Sequence, residues 1–423
     1  MISKYSENPQ QNLYAPLCAI LKKENMKDRI KKIISNKRNI VIIYILFALA
    51  ASLQSLVSGK TFHEGGLEYY RYNNYIIFER SFHHLINNQD LYISYPNEHW
   101  DLYKYTPAFS VFFGLFAMFP DWIGLNLWNL LNALILLLAI YYLPRLDILG
   151  KGLILMIVLI ELMTSMQNSQ SNGLIAGLLV LSFGLLENKK YLFAALCIIF
   201  SACIKIFGIV GLALFLFYPK KWKLSLYTFL WTIVLFIVPL VFVDINQYLK
   251  LIQSYLAMLN NDHTISYGYS VMGWLNSWFD IELNKNTIVL VGSVVFLIPF
   301  SRFNQYKNYT FKYLALTSIL IWIVIFNHKA ESPTFIIAMT GVALWFISCE
   351  KSIFNIVLFS CAFILTTLSP TDIFPGFLRE EYVKPFTLKA FPCIIIWTKI
   401  IYDMIVLKKD KITEKYGTQQ GEG

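Results

Sequence analysis

TFHEGGLEYYRYNNYIIFERSFHHLINNQDLYISYPNEHWDLYKYTP, residues 61–107, is a long polar and aromatic stretch set between two strongly apolar ones. A chain this hydrophobic has little reason to gather so many His, Asn, Tyr and carboxylate side chains unless they face water or a reacting substrate. The stretch therefore reads as half of an active site at a membrane surface. The topology of the remaining chain follows from the side of the membrane on which it lies.

Composition supplies the membrane. Of 423 residues, 57% are hydrophobic and 15% charged, and the mean hydropathy is +0.53; in soluble domains charged residues make up about a quarter. An all-α polytopic membrane protein is expected. The net charge of +10 does not indicate nucleic acid, because Lys and Arg fall in short runs between apolar segments and form no stripe. Retention of positive loops in the cytoplasm is the plainer cause. The 6 Cys are scattered, mostly within apolar runs, with no CxxC or CxH spacing, so neither a disulfide framework nor a structural zinc site is expected. The first apolar run begins near Ile40 and is long enough to span, which makes it a retained helix and not a cleaved signal.

Residues 1–38 are polar and basic, which places them in the cytoplasm. A transmembrane domain over 39–407 and a cytoplasmic tail over 408–423 follow. Alternation of basic runs gives spans near 39–57, 122–143, 152–166, 173–187, 191–204, 206–218, 222–243, 286–301, 313–327, 333–348, 353–369 and 389–407, about twelve crossings. The first outer loop, 58–121, is expected to carry interfacial helices: one over Tyr70–Ile86, and a surface or re-entrant one over Pro107–Phe119, which is too short to cross. A second long outer loop covers 244–285. With this topology nearly every basic run lies on one side. The opposite side collects 58–107, QNSQSN (167–172), Lys205, 244–285 and HKAES (328–332).

Lys205 stands between two short apolar runs, where a charge costs about 2.5–3.5 kcal/mol on insertion scales and usually marks function. It is either an anion holder, most naturally for a phosphate, or a lysine snorkelling from a helix end. In HKAES, His328, Lys329 and Glu331 precede a helix start at Ser332 and Pro333, either an anion site at a helix N-terminus or an ordinary charged loop. QNSQSN serves equally as a hydrogen-bonded turn or, through Gln167, Asn168, Gln170 and Asn172, as a set of amides for sugar hydroxyls. Tyr105 and Glu331 join that sugar and acceptor set. Glu161, deeper, is either paired or lines the same cavity. Among the carboxylates of the opening stretch one could be a general base. Its Tyr and Trp residues suit an interfacial belt or a sugar platform. No Walker loop, dinucleotide fingerprint, nucleophile–His–acid set or DxD-type metal pair stands out, and neither cofactor nor metal is expected.

These motifs, in this order, resemble the GT-C superfamily of integral-membrane glycosyltransferases, most closely glycosyltransferase family 87, the polyprenyl-phosphate-mannose-dependent mannosyltransferases. NYIIFERSFHHLINNQDLY (74–92) stands where that family has an Asp, a Tyr-rich helix and a DLY-like element. YKYTPAF (103–109) resembles its Tyr/Pro motif, NSQSNGL (168–174) its GQxN turn, and CIKIFG (203–208) its Lys-containing break. The resemblance spans roughly 40–345 and implies a GT-C-like bundle. It also implies a metal-independent, inverting transfer of a hexose, mannose or a relative, from a polyprenyl-phosphate donor to a lipid-linked or surface glycan. Lys205, His328 and Lys329 would hold the donor phosphate. Implied partners are donor, acceptor and membrane lipids, with no nucleic acid; the implied place is the inner (plasma) membrane, both termini cytoplasmic and the site facing the periplasm or exterior. One departure matters: the family's acidic residue, its implied base, falls on Asn74, which cannot act as one. Asp101, Glu79 and Glu68, in that order, are the replacement candidates. A shifted register, or a different role as a lipid-linked glycan flippase, a glycan polymerase or ligase, or an assembly protein, stays open.

Overall fold

The computed structural model describes residues 26–261, 267–282 and 284–407. The first 25 residues of the basic segment, six residues of the second long loop and the tail 408–423 lie outside the described residues. A basic helix, α1 (Met26–Ser35), leads into α2 (Lys37–Ser58), whose start is capped by Asn36 accepting from the Arg38 N–H at 2.9 Å. Among the described residues four helical stretches are long and apolar enough to cross a membrane: α2, α5 (Asp121–Tyr142), α6 (Ile148–Gln167) and Lys221–Val241, which begins as α9 (Lys221–Ile237). Shorter apolar helices follow the same hydropathy: α7 (Asn172–Glu187), α8 (Tyr191–Ile204), α12 (Lys285–Leu297), α13 (Tyr309–Ile325), α14 (Phe335–Ser348), α15 (Ile353–Cys361) and α16 (Phe391–Val406). Apolar helices and their packing make this a membrane protein of helical class.

Between α8 and α9 the chain winds as a 3-10 helix over Ile206–Phe217. At about 2.0 Å per residue against 1.5 for an α-helix, it covers more length with the same chain.

The opening stretch holds three features beyond the expectation. First, it contains a hairpin in a segment the sequence reading leaves unassigned: β1 (Lys60–Glu64) pairs antiparallel with β2 (Leu67–Tyr70). Gly65 and Gly66 form the turn at φ +57° and +81°, values that suit a two-residue hairpin and that β-carbon-bearing residues resist. Second, α3 (Asn73–Ile86) and α4 (Pro107–Ala117) do not simply lie on a surface. Tyr75, Phe78, Phe109 and Phe113 are fully buried and pack with Phe116 around Trp128 of α5, with Phe113–Trp128 and Phe78–Phe109 ring centroids 5.1 and 5.3 Å apart. Third, most of the tyrosines read as a belt or a sugar platform are core: Tyr69, Tyr72, Tyr75, Tyr92, Tyr103 and Tyr105 are buried. Aromatic area of this size stabilises by removal from water, and edge-to-face contacts orient it.

This packing depends on a close approach. A β-carbon on Gly124 of α5 would lie 1.9 Å from the Tyr75 hydroxyl and 2.7 Å from the Phe116 carbonyl oxygen. The second long loop is also largely helical, with α10 (Ile245–Asn261) and α11 (Val271–Phe279). Gln247 of α10 donates to the Asn88 carbonyl (2.9 Å), and Ser254 donates to the Asp90 carboxylate (2.7 Å), fixing α10 over the DLY turn.

Candidate active site

The turn between α6 and α7 is the centre of the site. Ser169 sits at φ +52°, and its carbonyl accepts from the Trp128 indole N–H at 3.0 Å. Asn132 accepts from the Leu174 N–H (2.8 Å), and Asn172 donates to the Pro333 carbonyl (3.0 Å). Two of the amides expected to meet sugar are used by the protein itself. Gln167 donates to Gln54 of α2, and Asn168 donates to the Thr164 carbonyl of its own helix. The other two, Gln170 and Asn172, turn toward Lys205.

Lys205 ends α8 in an extended conformation, φ −137° and ψ 126°. Its ammonium is directed into the protein, donating to Asn172 Oδ1 at 2.9 Å and Gln170 Oε1 at 3.2 Å, so it does not snorkel. An ammonium has three donors, and these two acceptors are neutral. Burial pulls its pKa down to about 8; the Glu331 carboxylate works in the opposite direction, and Lys104 adds to the lowering. The YKYTP motif sets its place. Thr106 donates through both its hydroxyl (2.8 Å) and its N–H (3.4 Å) to the Cys203 carbonyl, two residues before Lys205. Tyr103 donates to the Thr106 carbonyl (2.8 Å) and Tyr92 of the DLY element to the Tyr105 carbonyl (3.0 Å). Pro107 then begins α4, where its missing N–H is no loss.

Asn74 reaches the same turn, donating to the Asn168 carbonyl at 2.9 Å. Its neighbour Asn73 donates to the Trp100 carbonyl (2.7 Å) and accepts from the Trp100 N–H (3.0 Å), a reciprocal pair that ties the start of α3 to the residue before Asp101. Asp101 takes φ +72°, a conformation Asp tolerates better than most residues but still at a cost. Its two carboxylate oxygens accept from the Lys104 ammonium at 2.9 and 3.0 Å, an exposed pair. Tyr105 is buried next to this group. Burial raises its hydroxyl pKa, and Glu331 and Asp101 act on it in the same direction. One electrostatic neighbourhood therefore holds Asp101, Lys104, Tyr105, Lys205 and Glu331.

The other two carboxylates lie elsewhere. Glu79 is buried on α3 and pairs with His83 (3.1 Å) and Arg80 (3.2 Å); burial raises its pKa, while those two cations oppose the rise. Together with Glu68, Glu98 and Asp121 it lines a polar pocket of about 480 Å³ against the hairpin. None of the five residues of the Lys205 neighbourhood borders that pocket. HKAES is brought to the site through Glu331, the member whose charge bears on Lys205. Glu331 also occupies the N-cap of the Ser332–Thr334 turn that opens α14, its N–H donating to Thr334 Oγ1 at 3.4 Å. An acid thus stands at the helix end that one of the two sequence readings offers to a ligand anion. The His328–Ala330 backbone packs on the segment before α11, where Tyr269 donates to the Ala330 carbonyl at 2.9 Å. Glu161 is paired: Lys389, next to α16, donates to its Oε1 and to the Thr366 carbonyl, both at 2.7 Å.

Reading residues one at a time missed Lys104 and Asn73. Lys104 lies within the quoted YKYTP motif, and its charge between two tyrosines was the available signal; Asn73 has none. Among the described residues no group of three or more His, Cys, Asp or Glu is arranged to hold a metal ion.

No curated protein matches the chain. A model of glycosyltransferase family 87 matches residues 103–345. The match begins after Asn74 and Asp101, so the segment that carries both lies outside it. It includes YKYTP, the polar turn, Lys205 and HKAES, and covers more than half of the sequence: the chain belongs to glycosyltransferase family 87.

Proposed function

We propose that this glycosyltransferase moves a hexose, mannose or a close relative, from a polyprenyl-phosphate donor to a lipid-linked or surface glycan, on the membrane side that carries the 61–107 stretch. The observation that carries this reading is Lys205, a buried-end ammonium held by two neutral amides with a third donor to spare. In the reaction an acceptor hydroxyl oxygen attacks the anomeric carbon, and the bond from that carbon to the donor phosphate oxygen breaks with inversion. The electron pair leaves on the polyprenyl phosphate, whose growing charge meets Lys205 and, once released from its exposed pair, Lys104. Stabilising charge where it develops is usually the largest catalytic contribution. Asp101 takes the acceptor proton, replacing the acid absent at Asn74. Its salt bridge to Lys104 is of the exposed kind worth about 0–1 kcal/mol, so substrate can open it. Gln170, beside the ammonium, orients the sugar.

The test is transfer of radiolabel by purified protein from polyprenyl-phosphate-mannose to a lipid extract of the source cells. Transfer by the wild type that is lost in Lys205→Ala and in Asp101→Asn is expected. Undiminished transfer in Asp101→Asn would remove it as the base. Donor that neither binds nor reacts would exclude this donor class.

A further inference from the structure

α7 leads away from the site, from Asn172 to Glu187, about 24 Å at 1.5 Å per residue. At its far end is a pocket of about 590 Å³ between α5, α7, α8 and α9. Four ammonium groups border it: Lys189 and Lys190 from the turn before α8, and Lys220 and Lys223 from the start of α9. No carboxylate borders it, and among the described residues none of the four makes an ion pair. Glu187, two residues before Lys189, is already engaged by Lys312 and by the Tyr218 hydroxyl (2.7 Å). Lys190 lies 5.6 Å over the Tyr142 ring, which directs its charge along the pocket wall. Gathering four like charges around one concavity is unfavourable unless an anion fills it.

The remaining walls are apolar and open. Leu138 and Phe193 border the pocket while 50% and 55% exposed. α9 begins at its rim and continues as a stretch of mean hydropathy 2.2, of which only 11% is buried in the protein, so hydrocarbon must surround it. α8 and α9 both start here without a side-chain cap, adding two positive helix ends to the same place. The required ligand is anionic at one end and apolar along the other.

We propose that this pocket binds the phosphate headgroup of an anionic phospholipid, whose acyl chains run along α9, at the end of α7 and α8 remote from Lys205. A headgroup there would fix the 188–190 turn and the start of α9, and so the far ends of the helices whose near ends form the site. The assignment stands whatever sugar or acceptor the enzyme uses.

Native mass spectrometry of the full-length protein, released from detergent with added phosphatidylglycerol or phosphatidylcholine, tests it. The wild type is expected to retain phosphatidylglycerol and to prefer it at least ten-fold. Lys189→Ala/Lys220→Ala/Lys223→Ala is expected to weaken that binding roughly hundred-fold, at about five-fold per lysine. A control that removes as much charge from exposed positions elsewhere, Lys27→Ala/Lys31→Ala/Lys307→Ala, is expected to keep the preference. Unchanged binding in the pocket variant, or equal loss in the control, would overturn the proposal. Displacement of the lipid by millimolar inorganic phosphate would also overturn it, since the pocket would then read phosphate and not lipid. If the triple variant aggregates, Lys220→Ala and Lys223→Ala singly must each lower retention, and failure of both to do so counts against the site.

Discussion

Lys205 donates to amide oxygens and to no carboxylate, and this choice leaves its charge for a substrate. A carboxylate partner would neutralise the ammonium before any phosphate arrived, whereas Gln170 and Asn172 orient it only. Lys205→Ala is therefore expected to lower kcat by roughly 10²–10³ while leaving the fold intact, the usual loss when a preorganised donor to developing charge is removed. The pH dependence has a definite sign. Lysine is charged below its pKa, and burial brings that value down to about 8, so turnover should fall as pH rises through about 8. In Lys205→Arg the guanidinium stays charged, and whatever activity remains should lack that alkaline limb. A wild-type pH–rate profile flat from 7 to 10 would separate Lys205 from the chemistry. Glu79 gives the complementary check. It lies in the hairpin pocket among Arg80 and His83, away from Lys205, so Glu79→Gln should retain transfer where Asp101→Asn loses it.

At the scale of elements, two contacts decide how the bundle closes. Glu161 of α6 and Lys389 beside α16 form a fully buried pair, with Glu161 Oε2 left without a partner. Removing one member strands the other, which costs about 3–5 kcal/mol, while apolar replacement of both is often neutral. Glu161→Leu should thus lower the heat-aggregation midpoint in detergent sharply, and Glu161→Leu/Lys389→Met should recover most of the loss; equal midpoints for single and double variants would refute the pairing argument. Gly124 is the second contact. Gly124→Ala pushes a methyl group into Tyr75 and the α4 carbonyl at Phe116, so α3 and α4 must move off α5. A destabilisation of about 1–3 kcal/mol is expected from such overpacking. Because α3 carries Asn73 and Asn74, activity should fall with it.

At the scale of the whole molecule, the two ends of α7 differ in chemistry: a mixed polar group at Asn172 and, among the described residues, lysines without ion-pair partners beyond Glu187. The topology expected from the basic runs puts these ends on opposite sides of the membrane, the lysines in the cytoplasm. With native cysteines replaced, Asn97→Cys should react with a membrane-impermeant maleimide on intact cells and Lys189→Cys only after permeabilisation. Labelling of both from one side would overturn the topology.

Sequence alone determined where the apolar helices lie, because a backbone in hydrocarbon must satisfy its own hydrogen bonds and so declares itself as a run of apolar residues. It also marked the helix starts at Pro107 and Pro333, where a residue without an N–H loses nothing, and the break at Lys205, where a charge interrupts two apolar runs. The Gly65-Gly66 hairpin went unread, although a Gly-Gly pair between short runs containing aromatic residues is a turn signal. Only the tertiary structure decided which polar groups meet. The contacts that build the site run from Asn73 to Trp100, Thr106 to Cys203, Asn74 to Asn168, Asn172 to Pro333 and Lys205 to Gln170. Their partners are remote in sequence, so no periodicity or spacing records them. For the same reason tyrosines suited to a membrane interface could not be told from tyrosines suited to a core until α3 and α4 were seen to close on Trp128.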